Sequence, residues 1–336
     1  MASGNPLSAM PTIAADLERV QAELLDSVAS ENPFLTAIAS HLINAGGKRI
    51  RPGFCIAAAA CALDADAPAH HDAIRGGAAV ELVHLGSLYH DDVIDDADSR
   101  HFVSSVNELW GNHRAILAGD FLLARASEIA ASLGTEVAGL LGATISRLVE
   151  GQILELQHLY DPGRTEASYQ RSIDGKTASL LATSCRVGAI VAGLPRTQIE
   201  AVTRFGREYG LAFQVVDDVL DLVATDEQLG KPAGHDMVEG VYTLPVIWAL
   251  AGEGAAGLRM LLTSDMDDAA RTRAAEMVRA SGVLEQAISR ARELAASAQG
   301  ALDDLPDSPG RRGLAAAADH LVGVVEAAAR QPAVAR

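Results

Sequence analysis

Asp91-Asp92-Val93-Ile94-Asp95 and Asp217-Asp218-Val219-Leu220-Asp221 repeat one pattern, two adjacent aspartates with a third four residues after the first. Each copy sits in a stretch that otherwise reads as a buried helix. In a helix the first and last carboxylates of the pattern share one face, a turn apart. Like charges that close raise each other's pKa and weigh against the fold unless a cation lies between them. Hard oxygen ligands without nearby cysteine point to Mg2+, which is usually held by a few carboxylates together with substrate phosphates. Two such faces, opposed across a cavity, would clamp a diphosphate through bridging ions.

The rest of the chain suits that picture. Its 336 residues are 49% hydrophobic but only 4% aromatic, and are rich in Ala and Leu. That composition favours helices around a sizeable core. The formal net charge of −17 speaks against nucleic acid as a partner, since phosphate backbones demand clustered Lys and Arg. It does not exclude a phosphate-bearing substrate, because metal ions invert the local sign. Cys55, Cys61 and Cys185 are odd in number and lie in apolar surroundings, as expected of reduced, buried thiols in a cytoplasmic protein. Met1 to Met10 has no basic start and no long apolar run, so no signal peptide is expected. The longest apolar run, Phe54 to Leu63, is too short for a transmembrane segment.

Spacing predicts helices over Ala14–Ala29, Phe34–Asn44, Gly53–Leu63, Arg75–Asp95, Asn112–Ser132, Thr135–His158 and Ser168–Val191. Another starts near Pro195 and runs into the second acidic pattern. Four more follow, over Thr243–Ala251, Asp267–Ala280, Gly282–Leu302 and Gly310–Ala329. Asp96–Asn107 and Thr225–Val241 read as loops, and no stretch reads as a strand. The expected organisation is a flexible segment 1–12, one helical domain 13–330 and a frayed tail 331–336.

The ordered motifs resemble the trans-isoprenyl diphosphate synthases of the polyprenyl synthetase family. They are Gly46-Gly47-Lys48-Arg49-Ile50-Arg51-Pro52, His90-Asp91-Asp92-Val93-Ile94-Asp95, Gly151-Gln152, Gly175-Lys176-Thr177, Gln214-Val215-Val216-Asp217-Asp218-Val219-Leu220-Asp221 and Gly230-Lys231-Pro232. The resemblance implies an all-α fold, a single bundle of mostly antiparallel helices around a deep central cavity, usually homodimeric. It implies ionisation of an allylic diphosphate with about three Mg2+ ions, then attack by isopentenyl diphosphate on the cation. Asp91 and Asp95, supported by Asp92, match the positions holding two of the ions. Asp217 matches the position holding the third, with Asp221 acting through water. Arg100, Lys176 and Lys231 match residues for the allylic diphosphate. Lys48, Arg51 and His84 match those for isopentenyl diphosphate. Thr177 and Gln214 match positions beside the reacting carbons.

Two departures leave a second reading open. Where the family usually has two adjacent arginines, this chain has Arg100-His101. Where it usually has Gly-Lys-x-Thr, this chain has Gly240-Val241-Tyr242-Thr243. A family arginine also falls on Val324 in a loose alignment. Each lost cation weakens a phosphate site, by roughly 1.5–3 kcal/mol per charge-assisted hydrogen bond. The alternatives are therefore a cyclase or phosphohydrolase acting on one prenyl diphosphate, or a subunit of a heteromeric synthase. Retention of Lys48, Arg51 and His84 favours elongation.

The turns before Asp91 are expected to line the channel below the ions. Ser87 and Gly86, then Val83 and Leu82, are the lining residues, and small Gly86 and Ser87 would leave the channel open, for a product of C20 or longer. Leu117 or Phe121 would supply its floor, and Tyr89 would face away. Arg49 reads as a surface or salt-bridge residue, and Gln152 with Glu155 as an ordinary polar face.

Overall fold

The computed structural model describes residues 5–100, 103–223 and 233–329. The chain opens with α1 (Ile13–Ser27), α2 (Pro33–Ala39), α3 (His41–Ala45) and α4 (Ile50–Ala59), the last extended by a 3-10 turn, Ala60–Ala62. Next come the long α5 (His71–Ile94) and a two-strand hairpin, β1 (Ser99–Arg100) with β2 (Val103–Ser104). Then follow α6 (Val106–Trp110), α7 (Asn112–Ser132), α8 (Thr135–Leu156) and α9 (Glu166–Ile173). A π-helical turn, Asp174–Ala178, joins α9 to α10 (Ser179–Val191), and α11 (Arg196–Val223) carries the second acidic pattern. The last elements are α12 (His235–Val238), α13 (Leu244–Ala251), α14 (Ala255–Leu261), α15 (Asp268–Ala280), α16 (Val283–Gly300) and α17 (Pro309–Ala329).

The expected all-α bundle is what forms. One continuous apolar core joins α1, α4, α5, α7, α10, α11, α16 and α17, and a smaller one lies between the end of α11 and α13 to α15. The second half of α5 ends at the first acidic pattern and the second half of α11 at the second, so both patterns reach the same end of the bundle.

Several expectations are corrected. The expected helix 34–44 is two helices divided at Ser40. Asn32 explains the sharp start of α2, because its side chain caps the Phe34 and Leu35 amides. The expected loop after Asp95 contains the hairpin and α6, so it is neither wholly irregular nor free of strand. The expected helix 168–191 is interrupted by the π turn, and α14 was not foreseen. Residues 5–12 are not a loose arm: Leu7 and Met10 are buried in the main core. Residues 331–336, expected as a tail, lie outside the described residues, as do Lys231 and His101.

Candidate active site

Asp91, Asp95 and Asp217 line one cavity of about 600 Å³, together with Arg100, Lys176 and Gln214. A second, more apolar space of about 300 Å³ shares Leu88, Asp91 and Lys176 with it and is bounded by Arg51, His84, Ser87 and Thr177. His84 and Asp91, two helical turns apart on α5, thus point the same way, as their spacing predicts.

Two of these acids, Asp91 and Asp95, are shifted upward. Burial pushes the Asp91 carboxyl up, with Lys176 and Arg100 pulling it down and Glu155 and Asp92 adding to the rise. Burial likewise pushes Asp95 to about 6, with Lys176 pulling down and Glu239 and Asp91 pushing up. Such crowding is the electrostatic signature of a functional cleft. Among the described residues no three His, Cys, Asp or Glu side chains converge on a single ion-sized point.

Not every predicted residue faces the cavity. Asp92 is fully buried and takes both Nε and a terminal nitrogen of Arg100 on its Oδ1, at 2.7 and 2.6 Å. It thus anchors the hairpin cation through Oδ1, a contact that the expected supporting place beside the metal ions did not include. Asp221 is buried and absent from the cavity lining. Lys48 is exposed ahead of α4 and lines neither space. Arg51 reaches the narrower space, and its buried Nε has no hydrogen-bond partner among the described residues. Gly86 is turned from the channel against α7, where an added Cβ would stand 3.1 Å from the Gly119 carbonyl. Val83 and Leu82 are core residues. Leu117 is 66% exposed and forms no floor. Tyr89 does face away, donating to the Ile38 carbonyl at 2.8 Å. Arg49 is a buried salt bridge to Glu81 at 2.8 Å, as expected.

Lys176 sits in the π turn, a geometry that recurs at functional sites. The turn packs backbone to backbone on α8. A Cβ on Gly151 would collide with the Lys176 amide, and one on Gly175 would lie 2.7 Å from the Arg147 carbonyl. Lys176 Nζ is 2.6 Å from Glu155 Oε1 on that same helix. Burial lowers the Lys176 pKa, but Glu155, then Asp91 and Asp95, outweigh it, so the ammonium is held above its ordinary value.

Thr177 Oγ1 donates to Gln214 Oε1 at 2.7 Å, and Gln214 Nε2 donates to Asp218 Oδ1 at 3.0 Å. Tyr169 donates to the other Asp218 oxygen. Burial raises the Asp218 carboxyl, and these two hydrogen bonds pull it back. Glu155, Tyr169 and Arg164 are cavity residues that motif spacing missed. Glu155 had one usable signal, its place a turn after Gln152 in the helix that carries Gly151.

A helical bundle that brings two aspartate clusters to one cavity, with Arg100 and Lys176 among the acids, has the form of a class I isoprenoid synthase site. The chain belongs to the polyprenyl synthetase family, whose sequence profile matches residues 32–280, and this makes it a trans-prenyltransferase. It is 41% identical to the nonaprenyl diphosphate synthase of Mycobacterium tuberculosis (strain ATCC 25618 / H37Rv) over 84% of each chain. It is 37% identical to heptaprenyl diphosphate synthase component 2 of Geobacillus stearothermophilus, over 89% of this chain and 92% of that protein. The crystal structure of a polyprenyl synthase from Caulobacter crescentus CB15, complexed with calcium and isoprenyl diphosphate, superposes with a TM-score of 0.87 at 34% identity, covering 96% of this chain and 98% of that one.

Proposed function

We propose that this protein ionises an allylic diphosphate and condenses the resulting cation with isopentenyl diphosphate, building a polyprenyl diphosphate of C20 or longer. The observation that carries the reading is that Asp91, Asp95 and Asp217 line one cavity with Lys176 and Arg100. The donor set fits magnesium: the acids offer carboxylate oxygens, and substrate diphosphate would supply further oxygen ligands. Asp91, Asp95 and Asp217 would hold the ions, with Asp221 acting through water. Bound there, Mg2+ supplies Lewis-acid neutralisation of the leaving diphosphate.

The protein's own groups do the rest. Lys176 and Arg100 offer charged donors to the diphosphate, with Lys231 assigned to the same task from its motif. Arg51 and His84 bound the narrower space, where the second diphosphate would dock, and Lys48 would have to swing in from outside. The Thr177–Gln214 pair fixes two polar atoms beside the reacting carbons. Leu88, Leu148, Ile153 and Leu156 give the narrower space apolar walls that exclude water from the cation. Ser87 is the small wall residue that leaves room for a lengthening chain.

We further propose a homodimer. Ile116 and Leu117 on α7 and Val149 and Ile153 on α8 are exposed apolar side chains, and Val149 and Ile153 also wall the narrower space. By length and composition α8 could cross a membrane, yet only 28% of its most apolar window is buried. A second copy covering that face accounts for both observations. The three buried free cysteines suit a cytoplasmic setting.

The deciding experiment is turnover with Mg2+, with and without isopentenyl diphosphate. Longer diphosphates only in its presence support elongation. Pyrophosphate release from geranylgeranyl diphosphate alone would favour the single-substrate reading, for which Val241 in the cavity wall, in place of the family's usual lysine, is the motivating observation. Activity restored only by a second protein would favour a heteromeric subunit. The complete acidic set speaks against that case.

A further inference from the structure

Arg164 stands out among the groups that the reading above leaves unused. It follows the Asp161-Pro162-Gly163 turn between α8 and α9, is only 5% exposed, and lines the larger cavity. One terminal nitrogen donates to the Tyr242 carbonyl at 3.1 Å. Its Nε and other terminal nitrogen are buried with no hydrogen-bond partner among the described residues. The guanidinium centre lies 5.7 Å from the Tyr169 ring centroid, which fixes the plane of the fork.

A buried guanidinium stays charged and is costly when its donors are idle. Glu155, Asp218 and Asp161 lie near enough to favour a cation here, but none of them accepts a hydrogen bond from Nε or the second terminal nitrogen. An anion that arrives with the substrate would satisfy both idle nitrogens. The neighbouring sequence tells the same story. Val241, next to the carbonyl that Arg164 holds, faces the same cavity and brings no charge to it.

We propose that Arg164 is a diphosphate-binding residue of this site, its fork replacing the charge that Val241 lacks. The assignment rests on the proposed reaction insofar as the anion is a diphosphate in the metal lobe. It adds a ligand from outside the acidic and basic motifs. The guanidinium would grip the diphosphate of the allylic substrate, leaving the Arg51 and His84 end of the cavity unaffected.

Calorimetric binding of inorganic pyrophosphate with Mg2+ to the full chain is the test. Arg164→Gln should weaken binding by about tenfold or more, the size of one charge-assisted contact. Adding Val241→Lys to that variant should recover most of the loss, which a merely structural role would not allow. In turnover, the KM for the allylic substrate should rise while that for isopentenyl diphosphate stays put. Unchanged pyrophosphate affinity in a folded Arg164→Gln variant overturns the proposal, as does a failure of Val241→Lys to restore it. Should Arg164→Gln not fold, Arg164→Lys keeps the charge and loses the fork. It should bind several-fold more weakly at unchanged melting temperature, and wild-type affinity there also overturns the idea. If the wild type binds pyrophosphate but does not elongate, the proposed reaction fails while the Arg164 assignment is still decided by the binding series.

Discussion

Lys176 and Glu155 form an ion pair of 2.6 Å that joins the π turn to α8. Glu155 therefore aims the ammonium before any substrate arrives. Glu155→Gln should lower kcat by about tenfold, the range of one charged hydrogen bond. Glu155→Asp should recover part of the loss. Steady-state kinetics on both variants checks this, and an unaltered kcat in the Gln variant would show that Lys176 needs no such partner.

Removing a cavity acid should be far more damaging. Asp91→Ala and Asp217→Ala should each cut pyrophosphate release by roughly a thousandfold, the scale of losing stabilisation of developing charge. Both should also raise the Mg2+ concentration needed for half-maximal rate. Full turnover in either variant would end the metal assignment.

Ser87→Phe and Gly86→Ala separate channel from packing. Ser87 lines the narrower space, so the phenylalanine should shorten the products, read by chromatography of the dephosphorylated alcohols. Gly86 abuts the Gly119 carbonyl, so a methyl there should lower the melting temperature and leave the product range unchanged. An unchanged product distribution in Ser87→Phe would mean that this face does not bound the channel.

Gly151→Ala should destabilise the fold by about 2–4 kcal/mol, because its Cβ meets fixed backbone and not a side chain that can yield. Chemical denaturation measures it. A loss below about 0.5 kcal/mol would show that the π turn moves aside freely.

The thiols give a stability-versus-pH prediction. Burial pushes Cys55 and Cys61 to about 12, the latter against the opposing pull of Ser308 and Arg311. Unfolded thiols titrate near 8.5. Above that value the unfolded chain gives up protons that the folded chain keeps. Stability present below pH about 8.5 should thus decline as pH rises toward about 12. Urea midpoints at pH 8 and pH 10 should fall in that order, and native protein at pH 8 should resist thiol reagents until unfolded. Equal midpoints and rapid native labelling would contradict the burial.

The acidic patterns were readable because helix periodicity turns a four-residue spacing into a shared face. The same logic placed His84 beside Asp91 and turned Tyr89 away. It failed at Gly86, because a glycine in a buried helix serves close helix packing as readily as an open channel, and only the position of α7 distinguishes the two. It did not show the Asp92–Arg100 pair, because Arg100 comes from a hairpin too short to leave an alternating pattern. The π turn was hidden for a related reason. One extra residue in a helical turn changes no propensity, and the Gly151–Gly175 approach that accommodates it joins residues distant in sequence. Arg164 and Tyr169 belong to no local pattern, and tertiary packing alone brings them to the cavity.

The bond from Arg100 to Asp92 carries a consequence for ligand capture. With Nε and one terminal nitrogen committed to a buried carboxylate, the guanidinium keeps one nitrogen uncommitted among the described residues, Nη1, for an incoming phosphate. Under the proposed reaction the middle aspartate of the first cluster would set how tightly the mouth of the site grasps its cargo and how readily it lets go. Neutralising that aspartate would leave the arginine untethered, trading a prearranged hold for a roaming one.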